Sequence, residues 1–573
     1  MTLLDFRPTR RMVVAAAAVL VIVAAQGILY LYSARREQPA PDPAWAMPHL
    51  IKPEPPGRPD GWLSALLAPS EPAPRTVLCR DLPIPDVHWA TRDEYAPAFV
   101  HVPAPGSVPI GGSVCVRVVV PAMPSSASMV HVPPPGQPWD SVMLDLVGKT
   151  TNISVPVRLQ LVADIRNTQR GSTHIYEADV VLRDADAFVP RGYIEYRAAE
   201  WNSEDEAPVV PYKPEDIFID GALQVVAEDR DGTSPYSLSR HADLPLCTDP
   251  GAEGRWVRAE AVPFSLAAIP PADNHDMVWL PYACRLRRIS YPDAASCMAE
   301  RHPLMHWYGD SNVRRALKKI TTAGVWCSQP DELPTRRCLC EDYSEPFTKF
   351  NVNARQQTID LTREGGQQLE ATPGNYTAVP ENTARFYVHK WEGLTYRNSP
   401  PWDVAFKAGI TKTFGAPSVA VISLVNWDSA FSTRASFAAQ MERLVAFMAA
   451  EYTPRTTFVI RTGQYYCCRH DNTPSPRTRN FSRLRNAYFN DYVLQAFRER
   501  FGGTNRVLLW DVAGLAEHLP FATRKEAADC PANHARAEVV DIENQLLFNA
   551  LCNDPEPEAA TKTTATKSAA ATL

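Results

Sequence analysis

The chain has 573 residues, 45 % of them hydrophobic, and a formal net charge of −6 from 58 Lys and Arg against 64 Asp and Glu, enough apolar material for two or three packed cores. A peptide hormone or small disulfide knot is excluded, and the lack of a basic balance or a dominant Lys/Arg tract argues against a nucleic-acid partner held by phosphate neutralisation. With 53 prolines and 26 glycines, much of the chain must lie in linkers, turns and sheet edges, where proline is tolerated.

In chain order, the first predicted element is Met12 to Tyr32, a run without charge in which Gln26 is the one strongly polar residue. At helical rise it reaches across a bilayer core, and membrane attachment through residues 12–32 follows. Arg7, Arg10 and Arg11 precede it, and Arg35 and Arg36 follow beside Glu37. This slight bias favours a cytosolic tail over residues 1–11 and a type II signal anchor. A cleaved signal peptide is the competing reading, but its apolar region is ordinarily shorter and no clean small-x-small cleavage site follows. Residues 33–99 read as a Pro-rich stalk or linker, densest up to about 75 in PAPDP, KPEPPGRPDG and APSEPAPR.

From 100 to 240 strand-like runs are separated by Pro, Gly and Asp clusters: Val114 to Val120, Ser141 to Val147, Val155 to Ile165 and His174 to Leu182. Val155, Val157, Leu159 and Leu161 alternate, as do Tyr176, Ala178, Val180 and Leu182, the period of half-buried strands and the pattern of a β-sandwich. From 245 to 552 the pattern becomes apolar strands alternating with amphipathic helices. Leu304 to Tyr308 precedes a helix over Ser311 to Ile320, and Ser418 to Val425 precedes a helix over Arg434 to Tyr452. Thr456 to Arg461, a helix near Leu484 to Phe497, the strand Arg506 to Val512 and a last helix near Val539 to Leu551 complete the series. Such alternation predicts an α/β fold, a parallel sheet flanked by helices, with its site at the carboxyl ends of the strands. Residues 553–573 have no apolar periodicity and are predicted to be disordered.

All twelve cysteines lie beyond the apolar run, as expected of an oxidising lumen with disulfides. The adjacent Cys467 and Cys468 and the C-x-C spacing of Cys338 and Cys340 do not fit structural zinc pairs, so no metal is expected, and connectivity is not readable. A thiol nucleophile formed by Cys467 or Cys468 with His470 is rejected, because a disulfide-bound sulfur cannot attack. Asn152, Asn375 and Asn480 each begin an N-glycosylation triplet.

Chemistry concentrates at Gly309-Asp310-Ser311, between a predicted strand and a predicted helix. There the Ser311 backbone N–H and the helix dipole can face an oxyanion, and Gly309 permits the tight turn. A GDS triplet alone is more often a helix-capping Ser. Its setting is more specific: Cys247, Gly254-Arg255-Trp256, Trp279 to Cys284 and MHWYGDSNVRR, then Asn533-His534 followed by VVDIENQLLFNALC. This succession, over roughly 245 to 552, resembles the PC-esterase domain of the GDSL/SGNH hydrolase-like group. That group includes the neurexophilin and PC-esterase-domain family and the plant trichome-birefringence-like glycan O-acetyltransferases. The likeness is nearest to the neurexophilin branch, carried by Gly309, Asp310, Ser311, Arg314, His534, Asn544 and Gln545. It implies an SGNH-like catalytic domain behind an immunoglobulin-like β-sandwich, and transfer of an acyl group, chiefly acetyl, to or from sugar hydroxyls of a glycan or glycoprotein.

The resemblance further implies Ser311 as nucleophile and His534 as general base, sensible because a neutral hydroxyl needs an adjacent base near neutral pKa. Relatives carry an Asp three residues before the His; here that position is Pro531. Asp529 is the nearest preceding acid, with Asp541 an alternative and no acid at all a third possibility. Asn426, after SVAVISLV, is the expected oxyanion amide beside Gly309, with a turn role as the alternative, and Arg314 either reaches the pocket or shares a solvated face with Arg315, Lys318 and Lys319. Trp307, Tyr308 and Trp427 are candidates for a sugar-stacking wall or for core. No bound cofactor is expected, and the acyl donor, acetyl-CoA or another carrier, is left open along with the sugar and the oligomeric state. The expected setting is the secretory pathway, and the Golgi in particular. A non-catalytic, membrane-anchored glycan- or protein-binding module is the alternative function.

Overall fold

The computed structural model describes residues 78–84, 98–103, 107–121, 140–167, 171–196, 215–219, 224–229, 232, 234–270, 272–273, 275–321, 324, 356–360, 367–369, 384–391, 393–395, 409–464, 483–521, 528–529 and 534–554. Among these no helix is long and apolar enough to cross a membrane, and the expected span 12–32 lies outside them.

The first ten strands are β1 Phe99–His101, β2 Ser107–Pro109, β3 Ser113–Val120, β4 Ser141–Gly148, β5 Ser154–Pro156, β6 Gln160–Asn167, β7 Gly171–Val181, β8 Asp186–Tyr196, β9 Glu215–Asp216 and β10 Val225–Glu228. They form two sheets, β1-β3-β7-β6 and β2-β10-β8-β4-β5, with β9 on β8. Val116, Val118 and Tyr176 of one sheet share a core with Leu144, Leu146, Phe188 and Ile194 of the other, a β-sandwich. The expected single strand from Val155 to Ile165 is two, β5 and β6, in different sheets. Pro156 has no N–H for a ladder, and the chain crosses sheets with Val157 fully buried between them, so the apolar alternation survives the break.

After the hairpin of β11 Gly254–Arg258 and β12 Met277–Pro281 the chain alternates. The helices are α1 Tyr291–Arg301, α2 Ser311–Thr321, α3 Ile410–Phe414, α4 Val425–Phe431, α5 Arg434–Glu451, α6 Arg483–Phe501, α7 Val512–Glu517 and α8 Ala537–Cys552. The strands are β13 Leu304–Gly309, β14 Gln356–Asp360, β15 Gln367–Leu369, β16 Arg385–Lys390, β17 Val419–Ile422, β18 Thr457–Arg461 and β19 Val507–Trp510, with the short pair β20 Ala528–Asp529 and β21 His534–Ala535. The large sheet has the order β15-β14-β16-β13-β17-β18-β19, parallel from β16 to β19.

Each face of this sheet is covered. Met305 and Trp307 pack toward α1, α2, α7 and α8, whereas Tyr308, Ala420 and Ile422 pack toward α5 and α6. Trp307 and Tyr308 are fully buried in these cores and form no sugar wall, the commoner use of aromatics beside a buried strand. The expected strand through Val425 ends at Ile422, and α4 has begun by Val425. The Asp428 carboxylate fixes this early turn, accepting from the Thr395 N–H at 2.8 Å and the Ser432 hydroxyl at 2.7 Å.

The sandwich and the large sheet are joined by polar contacts. The Arg483 N–H of α6 donates to Glu195 of β8 at 3.4 Å, and Arg158 of the sandwich reaches, at 3.2 Å, the Glu517 carboxylate with which Arg483 pairs. Burial pushes the Glu517 carboxyl up, but Arg483 and Arg158 overcome it and hold the group down to about 2. A depressed carboxyl stabilises the fold above its unfolded value and loses that contribution as pH falls through the folded one. Urea stability is therefore expected to drop by a few kcal/mol between about pH 4.5 and about pH 2. A Glu517→Gln variant should show a visibly shallower slope there; equal slopes would refute the assignment.

Candidate active site

The strand order reverses at β13: β16 lies on one side and β17 on the other, and ligand crevices of open α/β sheets form at such switch points. The chain leaves β13 at Gly309 and enters α2 at Ser311. Asp310, 3 % exposed, caps that helix: its Oδ1 accepts from the Asn312 N–H at 2.9 Å and its carbonyl from the Arg314 N–H at 3.1 Å. Burial pushes the Asp310 carboxyl up, against the hydrogen bonds from Asn426 and Asn312.

Gly309 does not have the positive φ that a glycine-only turn would show. Its requirement is space: a Cβ there would stand 2.4 Å from Val313 Cγ2 and 3.2 Å from Ser423 Cβ. Gly309→Ala is expected to cost about 1–3 kcal/mol in chemical denaturation, by overpacking the turn into α2. An unchanged midpoint would show that the turn yields freely.

His534 returns to this turn from the far end of the chain. It lies on β21, whose register with β20 sets the backbone of position 529 opposite it; the Asp529 side chain lies outside the described residues. Nε2 of His534 and Oγ of Ser311 are 2.7 Å apart, a full hydrogen bond across 223 positions of sequence. Helix α8, which follows His534, is tied down repeatedly. Gln545 accepts from the Ile289 N–H at 2.9 Å and donates to its carbonyl at 2.7 Å, Asn544 donates to the Ala316 carbonyl at 3.2 Å, and a disulfide links Cys552 to Cys297 on α1. The Asn544-Gln545 pair thus holds α8 in place.

Asp541, the alternative acid, is engaged elsewhere: it accepts from Lys319 at 2.8 Å and from the Tyr291 hydroxyl at 2.5 Å. Arg314, Arg315 and Lys319 are 5 %, 1 % and 5 % exposed, so the alternative of a solvated face does not hold for these three, α8 packing on α2; the Lys318 side chain lies outside the described residues. Asn426, on α4, donates Nδ2 to Asp310 Oδ2 at 2.7 Å and accepts from the Gln464 N–H at 2.5 Å. It braces the Gly309–Ser311 turn, with at least one amide hydrogen committed to Asp310.

Three residues not singled out from the sequence complete the arrangement. Arg461, ending β18, pairs with Glu543 of α8 at 2.9 Å, with side chains 1 % and 0 % exposed. It also lies 5.3 Å from the centroid of the Trp510 ring. The Gln464 side chain bridges the pair, its Oε1 3.3 Å from Arg461 and its Nε2 3.5 Å from Glu543. Burial pushes the Glu543 carboxyl up, and Arg461 opposes that. Their signal is an arginine closing the apolar strand TFVIR and an acid inside the apolar helix VVDIENQLLF.

Disulfides join Cys79 to Cys115, Cys247 to Cys284 and Cys297 to Cys552; the remaining six cysteines lie outside the described residues. Asn152 occupies a turn after β4 in left-handed backbone, φ 59°, while Asn375 and Asn480 lie outside the described residues. Comparison of the chain with protein-family models, with curated proteins and with solved structures found no match.

Proposed function

We propose that the chain is a serine-dependent glycan O-acyltransferase or esterase of the SGNH-like type, its β-sandwich of the immunoglobulin-like neurexophilin kind, anchored through residues 12–32 with the catalytic part in the secretory lumen, in the Golgi. The observation that supports this reading is the 2.7 Å contact between Ser311 Oγ and His534 Nε2 at a strand-end helix N-terminus. His534 Nε2 takes the hydroxyl proton as Oγ bonds to the acyl carbon. The carbonyl π pair moves onto oxygen, where the Ser311 N–H and the helix dipole stabilise it. Collapse breaks the bond to the leaving group, which receives the proton from His534, and leaves acyl-Ser311. Water or a sugar hydroxyl then attacks that ester by the reverse proton path, giving hydrolysis or transfer. Asp529 is assigned to orient the imidazole, and acetyl-CoA or another carrier is the donor.

A fluorophosphonate probe is expected to modify Ser311, found by peptide mass spectrometry, and His534→Gln should slow the labelling about 10²- to 10⁴-fold. Labelling elsewhere, or labelling indifferent to His534, would favour a non-catalytic binding module.

A further inference from the structure

A cleft of about 500 Å³, within the range of small-molecule sites, opens between the sandwich and the large sheet. Thr462 and Asp511 on its wall directly follow β18 and β19, so it lies at the same carboxyl edge as Ser311, though neither Ser311 nor His534 lines it. Arg158 and Gln160 line it from the sandwich, and Tyr488 and Asn490 from α6.

Three features define what it would hold. Among the described residues, four carboxylates face three guanidiniums across the lining, so no single sign of charge selects the ligand. The lining offers amides and an aromatic ring together, the mixture that pairs hydroxyls and covers a pyranose face. Arg434 lies over the Tyr488 ring, 3.5 Å from its centroid, and its Nε and Nη1 are buried with no acceptor among the described residues.

The cleft is also wired to the nucleophile. Asn490 of its wall accepts from the Gly463 N–H at 2.7 Å, and Asn486 beside it donates to the Gln464 carbonyl at 2.8 Å. The Gln464 N–H in turn holds Asn426, which holds Asp310. We infer that this cleft is a saccharide subsite, seating the part of the glycan remote from the acyl group, with the sandwich supplying one wall. The choice of a glycan rests on the acyl-transfer reading.

The test is saturation-transfer NMR on the full chain carrying Ser311→Ala, which prevents turnover, with lactose and the methyl β-glycosides of galactose and N-acetylglucosamine as probes. At least one probe is expected to bind, and Arg434→Gln and the solvent-accessible Arg158→Gln should each weaken it about tenfold. Arg443→Gln, on the exposed side of α5, should bind as the parent does. Binding of none of the probes, or equal binding by both cleft variants, overturns the subsite. Fluorophosphonate labelling of the unmutated chain reports the chemistry separately. Labelling without saccharide binding sinks the subsite alone, and saccharide binding without labelling sinks the acyl-serine reading alone.

Discussion

Ser311→Ala is expected to lower acetyl release from, or transfer to, glycans by about 10⁴- to 10⁶-fold, leaving at most the contribution of substrate binding and the oxyanion donors. The effect should be this large because Ser311 Oγ is the hydroxyl that stands 2.7 Å from the His534 imidazole nitrogen. The thermal midpoint should hardly move, since one partly exposed hydrogen bond is lost, worth about 1 kcal/mol. Release and transfer should be assayed with acetylated and deacetylated glycans, comparing parent and variant. Activity equal in both would remove Ser311 from the nucleophile role, whatever its distance from His534.

The second large effect is expected at the buried ion pair. Glu543→Ala would leave the Arg461 guanidinium enclosed without its counter-charge, a loss of about 3–5 kcal/mol. Arg461→Met combined with Glu543→Leu should recover most of it, because neither member then pays for desolvation. Denaturant midpoints of Arg461→Met, of Glu543→Leu and of the double give the coupling. If the double variant is no more stable than the singles, the pair is not what holds α8 against the sheet. Since Glu543 lies on the helix that follows His534, the single variants should also slow fluorophosphonate labelling.

The βα alternation was legible because each central strand is buried on both faces and reads as an apolar run, while α2 and α5 carry their apolar residues at helical spacing. Ser311 and His534 were legible through short motifs whose neighbours fix them locally: Gly309 and Asp310 at one turn, Asn544 and Gln545 behind the other. What escaped were pairings between distant segments. Nothing local in NVRRALKKI shows that α8 will cover its basic residues, or that Lys319 will take Asp541. Likewise an arginine ending a strand and a glutamate within a helix look like isolated exceptions until the fold sets them 2.9 Å apart. The end of β17 is not marked locally because Leu424 and Val425 continue the apolar run past Ser423, whereas the Asp428 carboxylate of the following helix accepts from the distant Thr395 N–H.

The bond between Cys297 and Cys552 spans 255 positions, and both Ser311 and His534 lie inside that span. The α/β layer is therefore a covalent ring rather than a string, closed where α1 meets the end of α8. In a chain-entropy picture such closure removes about 5 kcal/mol of freedom from the unfolded chain. A single protease cut anywhere between those cysteines would open the ring but release no fragment, so Ser311 and His534 would stay on one molecule until the bond is reduced.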